Sequence, residues 1–334
     1  MPAISTSQRP DSTTLELYDA LHHGAMVLPL KARTQVEITG ADRTNFLHSF
    51  CTGDIKKLKP GQGCEAFITN HQGKAVGHVL VFCEEERLLL DGAPGQAETI
   101  IKHLDRFVIS ERVEFKDRSD EWYELLVAGP QAEQKLRDAK IQPTVSQLLE
   151  KKTATADDLR LRKVDFLGPL PAFLLTATKG PTDSTISQLR PQQEPHPTEA
   201  EEHAWLIARI EAGYPLYGID ITEDNLPQEV DRNEQAISFT KGCYLGQETI
   251  ARIDALGHVN RILTGLKFPA DANPQPGETI MQGEKKIAQI TSVAYSPKLQ
   301  APLALAYVRS LHASPGKRIP YGGGEAEVVK LPLP

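Results

Sequence analysis

Cysteine is scarce in this sequence: four in 334 residues, Cys51, Cys64, Cys83 and Cys243, with no Cys-x-x-Cys pair. That scarcity excludes a zinc ribbon and a disulfide-framed secreted fold, and it points to a reducing cytoplasm. Long apolar runs are missing too. No stretch of about 18 apolar residues occurs. The opening Met1 to Thr14 is polar, holds Pro2 and Pro10, and lacks the apolar centre of a signal peptide, so neither membrane insertion nor export is expected. No strong excess of one charge appears: 37 Lys and Arg against 44 Asp and Glu leave a formal net charge of −7. That balance disfavours broad binding to nucleic-acid phosphates or to an anionic membrane. Gly and Pro stand at 24 each, too few for a collagen-like or low-complexity chain.

What is present reads as short helices and strands that mingle without the regular βαβ alternation of a doubly wound sheet. Leu15 to His22 has helical character, and Gln35 to Thr39 alternates with the period of a half-buried strand, the first expected in the chain. Ala41 to Phe50 places Phe46, Leu47 and Phe50 at helical spacing. Cys64 to Thr69, Ala75 to Cys83 and Arg87 to Leu90 are β-leaning runs divided by turn residues, an antiparallel meander. Helical spacing returns from Gln96 to Phe107, strand character in Val113 to Phe115 and Trp122 to Val127, and a helix after Gly129-Pro130. Leu159 to Phe166 and Leu170 to Thr176 form a further pair of strands, and His203 to Ala212 a helix. Pro181 to Glu202, rich in Pro, Gln, Ser, Thr and Glu, reads as a long exposed, mobile loop, as does the polar start. Beyond Leu256-Gly257 come only short strands punctuated by Pro and Gly, the texture of a small barrel. The expected class is α+β: a polar tail and short helix over 1–25, an α+β region over 26–257 and a C-terminal β-barrel over 258–334.

The densest chemical signal is Lys241-Gly242-Cys243-Tyr244-Leu245-Gly246-Gln247-Glu248, followed at once by a helical pattern. A cysteine near a helix N-terminus, with a lysine two residues away, sits in a positive field that favours the thiolate. The competing reading is that Cys243 is a small inert hydrophobe, and spacing leaves both open. Glu248 and Arg252, spaced i,i+4, form a surface ion pair or else leave Arg252 to receive a ligand carboxylate. Upstream, the helix ending at Gly213 carries Glu211, with Tyr214 and Tyr217 on the turn that follows. Glu211 either faces solvent or accepts two parallel donors from a flat, amidine-like heterocycle, with Tyr214 or Tyr217 over its face.

The run Lys241 to Glu248 resembles the signature octapeptide of the YgfZ family, related to the folate-binding T-protein of the glycine cleavage system. The resemblance extends through Thr39-Gly40-Ala41-Asp42-Arg43, Thr52-Gly53-Asp54, Asn70-His71-Gln72-Gly73-Lys74, Arg209 to Gly218 and Leu226-Pro227-Gln228-Glu229. It implies a clover-like fold, two α+β lobes and a C-terminal barrel around a folate-sized hole, with tetrahydrofolate or a derivative as cofactor. It further implies that Glu211 grips the pterin, with Asn70, Tyr217, Gln247 and Arg252 in the folate site, and that Cys243, with Lys241, carries the chemistry. No metal site is implied. Where T-proteins carry a pair of aspartates, this chain has Gly77 and His78, and neither supplies a carboxylate. The function implied is therefore an accessory one. A folate-binding protein would support assembly or repair of iron–sulfur proteins, which are its partners, and affect tRNA modification only through them, without direct contact with nucleic acid or membrane. The alternative is a tetrahydrofolate-dependent aminomethyltransferase or demethylase-type one-carbon transferase. Oligomeric state is left open.

Overall fold

The computed structural model describes residues 6–30, 33–141, 153–156, 159–177, 184–190 and 196–334. Helix α1 (Ser12–His23) is started by Asp11, whose carboxylate accepts the Thr14 amide at 2.7 Å. The described strands then form three antiparallel sheets. The first contains β2 (Thr34–Thr39), β3 (Gly63–Thr69), β4 (Ala75–Cys83), β5 (Leu88–Gly92) and β6 (Glu114–Asp117) in the order β3-β4-β5-β2-β6. The second contains β1 (Met26–Leu30), β7 (Tyr123–Ala128), β8 (Thr153–Ala156), β9 (Leu159–Val164) and β10 (Ala172–Ala177) in the order β1-β7-β10-β9-β8. The third contains β11 (Arg261–Lys267), β12 (Thr279–Gln282), β13 (Lys285–Ser296), β14 (Ala301–Arg309), β15 (Arg318–Tyr321) and β16 (Gly324–Val329). Its end strands β12 and β15 lie beside each other, nearly closing a barrel.

Strand β4 is buried along its whole length because it faces two cores. Val79, Val81 and Cys83 pack with Val36, Ile38, Leu88 and Leu90 beneath α2 (Arg43–His48) and α3 (Ala97–Asp105). On the opposite face Leu80 and Phe82 meet Met26, Leu28, Leu126 and Leu174 of the second sheet. The period of two therefore puts His78 on this second, interlobe face together with Asp91, which pairs in register with Leu80. Helices α4 (Ala132–Asp138) and α5 (Ser184–Leu189) cover the far side of the second sheet.

Charges are buried at the joints. Between the lobes, Asp91 accepts from Arg33 at 2.7 Å, Gln35 at 2.8 Å and Arg162 at 3.0 Å, while Glu124 accepts from Gln35 at 3.0 Å and Thr176 at 2.8 Å. The two carboxyls compete for the same arginines in a site closed to water. Burial and the nearby Asp91 charge push Glu124 up to about 8, whereas Arg33 and Arg162 hold Asp91 below the usual carboxylate range despite its burial. Between helix and barrel, Arg209 on α6 (Glu199–Ala212) donates to Asp220 at 2.9 Å and to Ser292 of β13 at 2.7 Å.

The structure corrects four expectations. The first strand is β1, not the run beginning at Gln35, and β15 is an additional barrel strand. The stretch 181–202 is not one exposed loop: within it lie α5, with Ile186 and Leu189 buried, and the start of α6, closed by a capping box between Thr198 and Glu201. Residue 6 is tied down rather than mobile, since the Thr6 amide donates to the Val293 carbonyl at 3.1 Å. No helix among the described residues is long and apolar enough to cross a membrane.

The raised Glu124 carboxyl binds a proton in the folded state that the unfolded chain releases near 4.5. Its contribution to stability is thus complete below that value and is lost as pH rises through about 8. Thermal unfolding of Glu124→Gln should lose less stability than the parent protein between pH 5 and 8. Parallel curves would refute the assignment.

Candidate functional site

The run 241–248 is a loop clamped onto the first lobe and leading into α8 (Gln247–Leu256). The Lys241 ammonium donates to three carbonyls, His48 at 2.6 Å, Cys51 at 2.7 Å and Gly53 at 2.8 Å. These carbonyls include that of His48 at the C-terminal end of α2, where a cation is favoured. The same ammonium lies 4.8 Å from the centre of the Tyr244 ring. Burial draws Lys241 below the usual lysine range. Two further bonds fasten the loop: the Leu245 amide donates to Ser49 O at 2.9 Å and the Thr69 hydroxyl to Leu245 O at 2.7 Å.

At the end of the loop two backbones touch. Gly246 has φ +80°, and a Cβ there would fall 2.3 Å from the Asn70 carbonyl and 2.6 Å from Gly73 Cα. Only glycine fits. The Asn70 side chain holds its own turn, accepting from the Gln72 amide at 2.9 Å and the Lys74 amide at 3.1 Å. Gln247 closes the loop from the other side by accepting the Tyr244 amide at 3.2 Å.

Cys243 stands exposed on this fixed loop, while Cys51 and Cys83 are buried and Cys64 is half-buried. Burial pushes the Cys51 thiol up to about 11 and raises Cys83 as well, so both are held as protonated thiols. Lys241, Cys243, Gln247 and Asn70 are therefore brought together, with Lys241 engaged in fastening the loop rather than left unpaired beside the thiol. Arg252 is exposed one turn along α8, and no ion pair joins it to Glu248 among the described residues.

Glu211 occupies a different position, between α1, α6 and β13. One carboxylate oxygen accepts the Tyr18 hydroxyl at 2.7 Å and the other the Ser296 hydroxyl at 2.5 Å. Tyr214 and Tyr217 are buried, not displayed on the turn. The Tyr217 hydroxyl donates to Ala75 O at 3.1 Å, and the Tyr214 ring lies against His78, Phe166 and Arg232. His78 meets Glu65 at 2.8 Å, and Glu65 in turn accepts two bonds from Arg232, at 2.5 and 2.7 Å. Arg232 and His78 hold Glu65 well below the usual carboxylate range in spite of its burial. Gly77 faces the other way, against Ile100.

Sequence reasoning missed the Glu65–Arg232 pair and the placing of His48 beneath the 241–248 loop. Both are contacts between residues more than 160 positions apart, for which local sequence carries no signal. A cleft of about 900 Å³ opens between the barrel and residues 258–261, with Glu229, Arg261 and Tyr307 in its wall, and none of the candidate residues lines it. Among the described residues no group of three or more His, Cys, Asp or Glu could hold a metal ion.

The GCVT N-terminal domain matches residues 8–241, and the glycine cleavage T-protein C-terminal barrel domain matches residues 261–333. The chain belongs to this family. Between the two matched segments lie residues 242–260, which include Cys243 and α8. An aminomethyltransferase of Thermoanaerobacter pseudethanolicus is 26% identical over 313 residues, covering 90% of this chain and 83% of that protein. The tRNA-modifying protein YgfZ of Shigella dysenteriae is 27% identical over 246 residues, covering 73% of this chain and 72% of that protein. The solved structure of the glycine cleavage system aminomethyltransferase T from Bartonella henselae superposes with a TM-score of 0.78 at 19% identity, covering 96% of this chain and 89% of that one. The T-protein fold, with mixed α/β lobes and a C-terminal barrel, is thus shared.

Two substitutions test the clamp in this T-protein-family chain. Gly246→Ala forces a side chain into the Asn70 backbone at a positive φ and should cost at least ~1–3 kcal/mol in urea unfolding. Lys241→Met removes a cation from three carbonyls and should cost a further ~1.5–3 kcal/mol by the same measurement. Parental stability in either variant would show the contacts to be incidental.

Proposed function

We propose that this chain is a folate-binding accessory protein, similar to YgfZ, that supports the assembly or repair of iron–sulfur proteins and affects tRNA modification through them. The observation that carries the reading is the display of Cys243: an exposed thiol on a loop fixed by Lys241, Gly246 and Gln247, within an octapeptide that resembles the YgfZ signature. A single thiolate cannot fill the usual four-cysteine coordination of a stable cluster, so any cluster met here is shared or in transit. A cytoplasmic protein of this kind would need no membrane or nucleic-acid surface of its own.

The relatives named aminomethyltransferases are about as similar as the YgfZ relative, so identity does not discriminate. The chemistry of one position does. Where the T-protein resemblance calls for a carboxylate, the interlobe face presents His78 bound to the buried Glu65–Arg232 pair. Glu65 is itself neutralised by Arg232 and is not available as the missing anion. This weighs against aminomethyl transfer.

Tetrahydrofolate fits part of the set. A carboxylate has about four lone-pair sites, and Glu211 uses two of them on Tyr18 and Ser296, which leaves capacity for a heterocycle with two parallel donors. Arg252, exposed on α8, suits the carboxylates of a folate tail. Asn70, Gln247 and Tyr217 already make hydrogen bonds within the protein and would shape the site rather than grip a ligand. The cofactor would supply ring nitrogens able to carry a one-carbon unit; the chain's own residues would bind and orient it.

Calorimetry with tetrahydrofolate should show Glu211→Gln binding at least ~10-fold more weakly, as expected for loss of a charged hydrogen bond. In cells lacking the native protein, Cys243→Ser should fold yet fail to restore iron–sulfur enzyme activity. Full rescue by Cys243→Ser, or catalytic formation of methylenetetrahydrofolate from an aminomethyl donor, would overturn the accessory reading.

A further inference from the structure

At the end of the barrel remote from Glu211, the cleft of about 900 Å³ opens against residues 258–261. Ser296, which donates to Glu211, and Ala288, in the cleft wall, stand eight residues apart on β13, roughly 25 Å at a strand's rise. The cleft is therefore separate from the position considered for a pterin. Its walls are fastened to each other. The Ser310 amide donates to Asn260 O at 3.0 Å and the Ser310 hydroxyl to Val259 O, while His258 Nδ1 donates to Leu256 O at 2.9 Å. The volume is that of a small-molecule pocket, already shaped by these bonds.

Strand register places like charges together at this cleft. Arg261 begins β11, Arg309 ends β14, and the two are paired directly across the ladder. Residues so opposed share a face with Cβ atoms about 4.5–5.5 Å apart, where like charges repel. Arg261 is neutralised: its Nε and Nη2 donate to Glu229 at 3.0 and 3.2 Å, and its guanidinium lies 4.9 Å from the centre of the Tyr307 ring. Arg309 is exposed, and among the described residues its guanidinium meets no carboxylate. Lys286 donates to the neutral Gln289 Oε1 at 2.7 Å and likewise meets no carboxylate among the described residues. Among the described lining residues Glu229 alone is acidic. The charges of Arg309 and Lys286 are thus left over, in a chain whose formal net charge is −7.

We infer that this cleft binds a small phosphate monoester. Near neutral pH such a group carries about two negative charges on three acceptor oxygens, which matches Arg309 and Lys286 and bridges the opposed arginines. Arg261 spends two of its five N–H groups on Glu229 and keeps the others for the ligand. A carboxylate or a phosphodiester brings a single charge and leaves the cleft net positive. The organic part has a place as well. Leu311, 81% exposed, and half-buried Val259 line the same cleft, so an apolar body covers them while the phosphate meets the cations. The site stands apart from any role of Glu211 or Cys243.

Calorimetry with phenyl phosphate tests this, with inorganic phosphate, benzoate and methyl phenyl phosphate beside it. Phenyl phosphate should bind wild type saturably, and benzoate and the diester should each bind at least ~10-fold more weakly, as expected for a lost charged hydrogen bond. Arg309→Gln should weaken phenyl phosphate at least ~10-fold for the same reason. That variant should melt no lower than wild type, because the charge opposed to Arg261 is gone. Leu311→Ala should weaken phenyl phosphate at least ~3-fold and leave inorganic phosphate unchanged. No saturable heat at ~10 mM phenyl phosphate, or an affinity that Arg309→Gln leaves unchanged, overturns the assignment. Benzoate or the diester binding as tightly as the monoester overturns it too, and the diester result would turn the site toward a nucleic-acid backbone. Glu211→Gln should keep the wild-type affinity for phenyl phosphate even where it loses tetrahydrofolate. A parallel loss of both ligands would put the phosphate in the folate site and sink the separate one.

Discussion

A guanidinium cannot be left unpaired in a protein interior, and among the described residues several are buried at the joints. Arg33 and Arg162 join the two lobes through Asp91, Arg232 is held by Glu65, and Arg209 ties α6 to the barrel through Asp220 and Ser292. Removing one partner of such a pair strands the other charge, a loss of ~3–5 kcal/mol. The apolar contacts between lobes tolerate sliding; these pairs do not. They specify how the three sheets meet, and every position on the interlobe face follows from that meeting.

The loop carrying Cys243 depends on the same logic at smaller scale. Lys241 is a cation held by the carbonyl end of a short helix, and Gly246 is a backbone crossing that admits no side chain. Between them the thiol is displayed outward. Lys241 and Gly246 of the octapeptide are thus explained by how the loop is held. The Cys243 side chain takes no part in holding the run, and its display on a loop fixed by its neighbours gives it a functional weight that composition could not.

Much of the fold was legible because hydrophobic period survives in short elements. The meander of β3, β4 and β5 and the helices α3 and α6 were read from spacing within a residue or a few at each end. Strand β8 escaped reading, and two others that did so, β1 and β15, share a feature. Both β1 and β15 contain a proline, Pro29 and Pro320, and both lie at the edge of their sheets. Proline removes a ladder donor and is tolerated only where that donor faces away from the sheet, so the local rule against strands failed where tertiary position excused it. Helix α5 was hidden by the polar composition around it, although Ile186 and Leu189 fill a core formed elsewhere.

By itself the sequence determined the α+β class, the passage to a β-barrel near residue 257, and the run Lys241 to Glu248 as the place where chemistry concentrates. These are local properties, set by period, composition and neighbouring residue types. Only the tertiary structure decided what each residue of that run does. It turned Lys241 into a clamp, buried Tyr214 and Tyr217, locked His78 to Glu65, and set the carbonyl of His48 against Lys241 from nearly 200 residues away. The reason is physical: burial and charge pairing belong to space, and a buried ionisable group takes its role from partners that the chain order does not bring near.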